Sequence, residues 1–430
     1  AKRGKVALDV SPQATAEFVI PVTVTVGKPG VEYFVHFSVV TRQAEPLIPI
    51  GHEIAQEQFR LPLETEKDSY EASGKALGWK AENGKVVVSS SNVYFELDKA
   101  TGMVTSYKVN GTEFFDKAFG VQPNFWRAPN DNDYGNSNPK RLQIWKESSR
   151  DFKVSDTAVR EEGETVLMSV TYDLPAGNQY LITYRIYRDG VVNVNVKFTQ
   201  TDREAEKTEV LEDTNLATFT PGKKVKKKDV FEVPRIGVRF RIPHVMNRVE
   251  YFGRGPVENY VDRNAGSMVG RYKTSVEEMY VNYVRPQENG HRTDTRWVSF
   301  TNTVGRGLLV LAEKTIGFNA LRNTVEDFDS EESSHPYQWR NRSPKEVAGK
   351  NEAEAKNVLR RMTHVNDITP RDFVEVCIDM KQQGVAGYDS WGAKVQPGYT
   401  IPANRDYVWG FTLIPIKNVG DVNKSLRYTY

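Results

Sequence analysis

Tyr180-Leu-Ile-Thr-Tyr-Arg-Ile-Tyr-Arg-Asp-Gly-Val-Val-Asn-Val-Asn-Val-Lys-Phe-Thr-Gln200 decides the fold class. Two runs dense in aromatic and β-branched residues, Tyr180–Tyr187 and Val191–Gln200, flank the dipeptide Asp189-Gly190. Such side chains fit a pleated, half-buried surface, and Asp-Gly between them is a hairpin turn. The same grammar runs outward in both directions. Val86–Val88, Val93–Leu97, Val104–Val109 and Thr165–Tyr172 precede it, with Asn83-Gly84 and Asn110-Gly111 as further turns. Gly237–Ile242, Asn247–Phe252, Thr295–Phe300, Gly307–Ala312, Phe373–Met380 and Tyr407–Ile416 follow. Helical patterns alternating with strands are absent, which excludes a parallel α/β architecture. One segment departs from this: Ser343-Pro-Lys-Glu, then Glu352-Ala-Glu-Ala-Lys-Asn-Val-Leu-Arg-Arg361, has a capping box and good helix formers and predicts a short helix.

Toward the N-terminus, Val6–Val10, Ala16–Val26, Tyr33–Val40 and Ile54–Leu63 read as short strands of a sandwich. An immunoglobulin-like sandwich needs roughly 100 residues, so residues 1–66 are expected to form only part of one, cut from a larger protein. The polar stretch Glu64–Gly74 is apolar-poor, which predicts a linker at 67–75. Residues 76–430 then form the large second domain, and the whole chain is all-β.

Composition narrows the function classes. With 430 residues, 39% hydrophobic and 27% charged, the chain has material for a sizeable core. Lys plus Arg number 58 against 56 Asp plus Glu, so no global field draws in nucleic acid or an anionic membrane. The basic run Lys223–Lys228 lacks interleaved aromatics and reads as a solvated hairpin or loop. No apolar run approaches the ~20 residues of a membrane-spanning helix. No signal peptide opens this stretch, and the compartment stays open. Cys377, the one cysteine, sits in the alternating strand Phe373–Asp379, as a buried position rather than a nucleophile. The six histidines are scattered, so no metal signature is present.

Four clusters carry candidate chemistry. Asn124-Phe-Trp-Arg-Ala-Pro-Asn-Asp-Asn-Asp-Tyr-Gly135 reads as a loop dense in acceptors, able to bind sugar hydroxyls or to pack as an Asx-rich turn. In Tyr251-Phe-Gly-Arg-Gly-Pro-Val-Glu-Asn-Tyr-Val-Asp-Arg263 the Gly-x-Gly is followed by Pro256 with no Gly-Lys-Ser/Thr sequel, so it is no phosphate loop. Glu258, Asp262 and Arg263 there are expected to form an ion-paired structural cluster. Glu288 and His291, in Pro286-Gln-Glu-Asn-Gly-His-Arg-Thr-Asp-Thr-Arg-Trp297, have the groups of an acid–base pair, but a structural role is favoured. Gly384-Val-Ala-Gly-Tyr-Asp-Ser-Trp-Gly-Ala-Lys-Val395 lifts an indole on a glycine-rich loop beside polar groups, which suits a sugar site, with a loop-capping core Trp as the ordinary alternative.

Taken in order, these clusters resemble the C-terminal region of family 2 glycoside hydrolases of the large β-galactosidase type. Phe125–Asp133, Gly253–Arg263, Glu288-Asn-Gly290 and Asp389-Ser-Trp391 follow in that family's order at fitting separations. The resemblance covers about residues 75–416 and implies a galactose-mutarotase-like supersandwich after the partial immunoglobulin-like domain. It implies that Trp391, with Asp389 and Ser390, contacts the galactosyl group. It also implies that Asp131, Asn132, Asp133, Gly135, Asn136 and Ser137 form a pocket-entrance loop. The catalytic carboxylates, and the Mg2+ and monovalent-cation ligands, belong by that resemblance to a catalytic barrel outside this chain. No catalytic residue, metal or cofactor is therefore expected here. The implied partners are that barrel and a galactoside, with no nucleic acid or membrane and with room for a homo-oligomer. An aldose 1-epimerase and a non-catalytic carbohydrate-binding module are the competing readings. The Asn323–Arg361 stretch has no assigned role.

Overall fold

The computed structural model describes residues 3–7, 9–20, 27–63, 65–200, 210–213, 223–226, 232–329, 364–389, 392–418 and 420–430, with only the backbone at 210–213 and 223–226. The chain divides into two compact units, one of residues 1–69 with 426–429 and one of residues 70–425 with Tyr430.

In the first unit, β1 (Tyr33–Val40) and β2 (Glu53–Leu61) form an antiparallel hairpin. A two-residue strand, β3 (Asp68–Ser69), runs parallel to residues Tyr428–Thr429, so part of the expected linker is a ladder. The strands expected at Val6–Val10 and Ala16–Val26 are absent over their described residues. An alternating segment gains nothing from extension unless a neighbour completes its hydrogen bonds. Among the described residues of this unit none is buried, and Val39, Val40, Ile54 and Phe59 stand in solvent.

The second unit begins with a five-stranded meander: β4 (Gly78–Glu82), β5 (Lys85–Ser89), β6 (Val93–Asp98), β7 (Val104–Val109) and β8 (Thr112–Glu113). β9 (Gln122–Asn124) leads to three short helices, α1 (Asp131–Gly135), α2 (Asn138–Arg141) and α3 (Gln143–Ser148). Four antiparallel strands follow: β10 (Lys153–Glu162), β11 (Thr165–Asp173), β12 (Gln179–Ile186) and β13 (Val192–Thr199). β14 (Val210–Asp213) and β15 (Lys223–Lys226) pair as a hairpin, which agrees with the reading of the basic run over the described residues. The rest comprises β16 (Arg235–Pro243), β17 (Arg248–Gly255), β18 (Met268–Ser275), β19 (Arg292–Thr301), β20 (Gly307–Leu321), β21 (Phe373–Gln382), β22 (Tyr407–Ile416) and β23 (Tyr428–Thr429), the last belonging to the first unit. The helix expected at 343–361 lies outside the described residues.

Among the described residues one sheet holds twelve strands, in the order β10-β11-β12-β13-β22-β20-β19-β17-β18, with β21, β16 and β9 branching from it. The branch exists because β20 changes partners. Gly307–Ala312 pairs with β22, while Gly317–Leu321 pairs with β21. Of the four residues between, Glu313–Thr315 are exposed and Ile316 is buried. The two arms face each other across an aromatic core. Tyr180 of β12 is fully buried and donates its hydroxyl to the Gly237 carbonyl of β16 at 2.9 Å. Phe125 packs edge-on against Tyr180 at 4.9 Å between ring centres. Each such buried ring contributes roughly 1.5–3 kcal/mol relative to exposure, far more than a single neutral hydrogen bond.

Charge is buried as well. The Arg235 guanidinium, 0% exposed, donates to Glu288 at 3.2 Å, to the Trp126 carbonyl at 3.3 Å and to Gln382. Its Nε lies 3.1 Å from the Asp379 carboxylate. Along the same pair of strands Arg239 and Arg241 meet Glu375 at 3.4 and 3.1 Å. Such pairs gain little over apolar packing, but leaving one partner alone costs about 3–5 kcal/mol. Burial pushes the Asp379 carboxyl up to about 7, and Arg235 pulls it back only in part. Burial, then the nearby Arg235 and Arg292, hold the His291 imidazole well below its usual range.

Two predictions follow from these environments. Amides of β1 and β2 should exchange with solvent well before those of β21, because no buried layer covers that hairpin; equal protection would mean that the hairpin has a core. The second concerns pH. A carboxyl raised in the fold binds its proton more tightly there, so Asp379 supports the fold below about pH 4 and withdraws that support as pH climbs to about 7. A depressed imidazole does the opposite: the unfolded chain takes up the proton, so His291 weakens the fold as pH drops below about 6.5. Asp379→Asn should therefore gain on the parent chain as pH rises from 4.5 to 7.5, and His291→Gln should gain as it falls. Melting curves of both variants that parallel the parent at every pH would refute the assignment.

Candidate functional site

Two segments far apart in sequence, 127–139 and 384–393, are held together by backbone contacts and amide side chains. Asn130 caps α1 by accepting from the Asp133 amide at 2.9 Å, and Asp133 returns the bond to the Asn130 amide, a reciprocal capping box. The Asp133 carboxylate is buried and gripped by Arg127 at 2.6 and 3.0 Å, with Asn138 donating a third side-chain bond at 2.7 Å. Residues 131–137 are thus not the open loop expected from their Asn/Asp content. The Asp133 carboxylate and the Asn136 amide oxygen, which accepts from the Asn138 amide at 3.1 Å, are engaged within the cap and the fold, and Ser137 is buried in a left-handed conformation, φ +61°.

The glycine-rich segment lies directly on this helix. Asn130 and Asn132 donate to the Val385 carbonyl at 3.2 and 3.4 Å, and Asn136 donates to Ala393 at 3.4 Å. Arg127 also reaches the Gly384 carbonyl at 3.3 Å. Gly392, φ +79°, sits against the Gly135 backbone so closely that a Cβ would collide with it. Both facts require glycine there. Asp389 is exposed and accepts from the Ala393 amide at 3.1 Å. Ser390 and Trp391 lie outside the described residues. Asp131 is exposed and meets Arg285 at 3.3 Å, whose guanidinium also lies 3.9 Å from the centre of the Tyr134 ring.

The motif at 251–263 pins neighbouring segments. Glu258 pairs with Arg263 at 2.8 Å, as expected, and also accepts from Tyr283 and from the Gly290 amide at 2.8 Å. Asn259 accepts from Thr293. Asp262 differs from expectation: instead of joining the ion pair, it accepts from the Val385 and Ala386 amides at 3.1 and 2.8 Å. Arg263 is drawn to Glu258, which leaves the Asp262 carboxylate for the loop.

Glu288 and His291 are both buried, and neither forms the other's partner. Glu288 is bound by Arg235, while His291 faces Asp379 at 3.8 Å and stacks on Tyr260. Burial pushes Glu288 upward against the pull of Arg235 and Arg127. These groups have the chemistry of an acid–base site but are 5% and 1% exposed, so a sugar does not reach them. Among the described residues no three His, Cys, Asp or Glu side chains are placed to hold a metal ion. The sequence reading placed Arg127 and Asn130 in the first cluster without a role of their own, and it missed Asn138 and the loop contact of Asp262. Only the Asn130-x-x-Asp133 spacing offered a signal, as a helix cap.

Comparison with known proteins identifies the family. A family model described as "Beta galactosidase small chain" matches residues 89–413, and one described as "Beta-galactosidase, domain 4" matches residues 1–62. A β-galactosidase of Priestia megaterium is 33% identical over 368 residues, covering 85% of this chain and 30% of the relative. That of Streptococcus thermophilus is 28% identical over 411 residues, covering 95% of this chain and 34% of the relative. The chain thus spans about a third of the length of the curated relatives it matches. Among solved structures, a galactose mutarotase related enzyme from Lactobacillus acidophilus is 9% identical with a TM-score of 0.36, covering 77% of this chain and 97% of that one. By its match over 89–413, this chain belongs to the β-galactosidase small-chain family.

Proposed function

We propose that the chain is the non-catalytic C-terminal portion of a retaining β-galactosidase, which braces the catalytic barrel and contributes part of the galactose pocket. The observation that carries this reading is the convergence of 127–139 and 384–393. Two segments, each matching a motif of the family, are fixed on one another by Gly392 on Gly135 and by the three asparagine side chains. Trp391 lies in sequence between Asp389, which accepts from the Ala393 amide, and Gly392, which rests on Gly135. An indole carried on so fixed a stem would present its face to the C–H surface of a galactosyl ring, and Asp389 and Ser390 would stand beside it. The segment 131–137 would serve as the rigid wall of the entrance.

A retaining hydrolase needs two carboxyls roughly 5–5.5 Å apart on either side of the scissile bond. Among the described residues the buried acids are each paired with a cation: Glu288 and Asp379 with Arg235, Asp133 with Arg127, Glu375 with Arg239 and Arg241, Glu250 with Arg271, Asp327 with Arg371 and Asp329 with Lys146. That supports placing hydrolysis, with any Mg2+ or monovalent cation, in the barrel. The burial of Glu288 and His291 weighs equally against an aldose 1-epimerase, whose base and acid must touch the sugar.

The chain on its own should leave nitrophenyl-β-galactoside intact. Turnover that co-purifies with the chain through removal of contaminating host enzyme would overturn the proposal. In the complete enzyme Trp391→Ala should lower kcat/KM about threefold to thirtyfold, the worth of an aromatic or cation–π contact of about 0.5–2 kcal/mol. Trp391→Phe should recover part of it. An unchanged kcat/KM, or a large loss of Tm in the isolated chain, would place Trp391 in packing instead.

A further inference from the structure

We propose that Asp262 is a positioning residue for the 384–393 loop, setting through two backbone amides where that loop holds its side chains. The loop is not needed to connect its strands tightly: β21 ends at Gln382 and β22 begins at Tyr407. Yet its backbone is held at both stems. At the far stem α1 seats Gly392 and Ala393. At the near stem one Asp262 oxygen takes the Val385 amide and the other takes the Ala386 amide, at 3.1 and 2.8 Å. A carboxylate suits this task, because it accepts at both oxygens and donates at neither.

The loop's own sequence is fitted to that grip. Gly384 lies against the Asp262 carboxylate with no room for a Cβ, and Ala386 is held at φ +55°. A non-glycine residue in the left-handed region is strained and persists where its surroundings over-determine it. Here Asp262 on the Ala386 amide is what holds it. Gly387, φ +95°, would meet Asn132 at 2.7 Å if it carried a Cβ. Close approach at Gly384 and Gly387 and left-handed backbone at Ala386 and Gly387 thus fall within four residues, whereas Arg263 beside Asp262 turns away to Glu258. Asp262 touches no substrate in this arrangement and acts through the loop.

This inference rests on the reading of Trp391 as a sugar contact for its effect on activity, but not for the anchoring itself, so the two are tested separately. Asp262→Asn is nearly isosteric and sets an N–H against one of the two amides. Gly384→Ala attacks the same contact from the loop side. In the complete enzyme both should speed hydrogen exchange at Val385 and Ala386 by about tenfold or more. Asp262→Asn should lower kcat/KM about fivefold to twentyfold in the parent and less than about twofold in a Trp391→Ala background. Unchanged exchange in both variants would overturn the anchoring. An equal loss of kcat/KM on the two backgrounds would show that Asp262 supports the fold at large and does not act through the loop. Trp391→Ala without effect would sink the sugar-contact reading, and the exchange rates would then decide the anchoring alone.

Discussion

A guanidinium that no water reaches must find all its partners inside the protein, and Arg235 imposes that condition on the second unit. Its donors and charge tie β16 to Gln382 and Asp379 of β21, to Glu288 ahead of β19 and to the Trp126 carbonyl ahead of α1. Every one of those segments is consequently committed to one position, since withdrawing any partner strands a buried charge. The segments that converge at the candidate site all leave from these tethered points. The 127–139 segment begins one residue after Trp126, and the 384–393 segment begins two residues after Gln382. A buried ion cluster of this kind adds little net stability, but it specifies register and direction where apolar packing would tolerate slippage.

The site itself is built by hydrogen bonds to backbone more than by side chains facing a cavity. Asn130, Asn132 and Asn136 reach carbonyls of the opposite segment, and Asp262 reaches amides. Glycines at 384, 387 and 392 let the chains touch. Electrostatics at the core and geometry at the rim are therefore separate devices. The described acids of the core are paired in place with arginines and, at Asp329, with Lys146, while the rim is made of backbone groups, amide side chains and the exposed carboxylates of Asp131 and Asp389.

Much of the architecture was legible from residue pattern alone. Each central strand of the second unit declared itself through β-branched and aromatic runs, and Tyr407–Ile416 appears with the bounds expected. The strands that went unread lie chiefly at edges. β4 is exposed throughout, β10 is largely so, and β18 borders the sheet. Such strands send few side chains to the core, Val154 and Val159 from β10 and Tyr272 from β18, so their apolar alternation is weak. The helix 131–135 was read as loop because Pro129 and the Asn/Asp run mimic a turn, whereas a capping box and the Arg127–Asp133 pair fix it as a helix. Glu258 and Arg263 were placed correctly because a close pair in sequence is close in space. Asp262 was not, because its partners lie more than a hundred residues away and are backbone, which carries no side-chain signature.

The partner exchange of β20 has a mechanical consequence. A strand that borders a single ladder can slide by two residues and restore its hydrogen bonds, with the same faces inward. β20 belongs to three: Gly307–Ala312 against β22, Gly307–Leu311 and beyond against β19, and Gly317–Leu321 against β21. Any displacement along its axis would have to break all of them together. The strand acts as a shaft keyed at both ends, so the two arms of the sandwich cannot shear past one another without the sheet as a whole giving way.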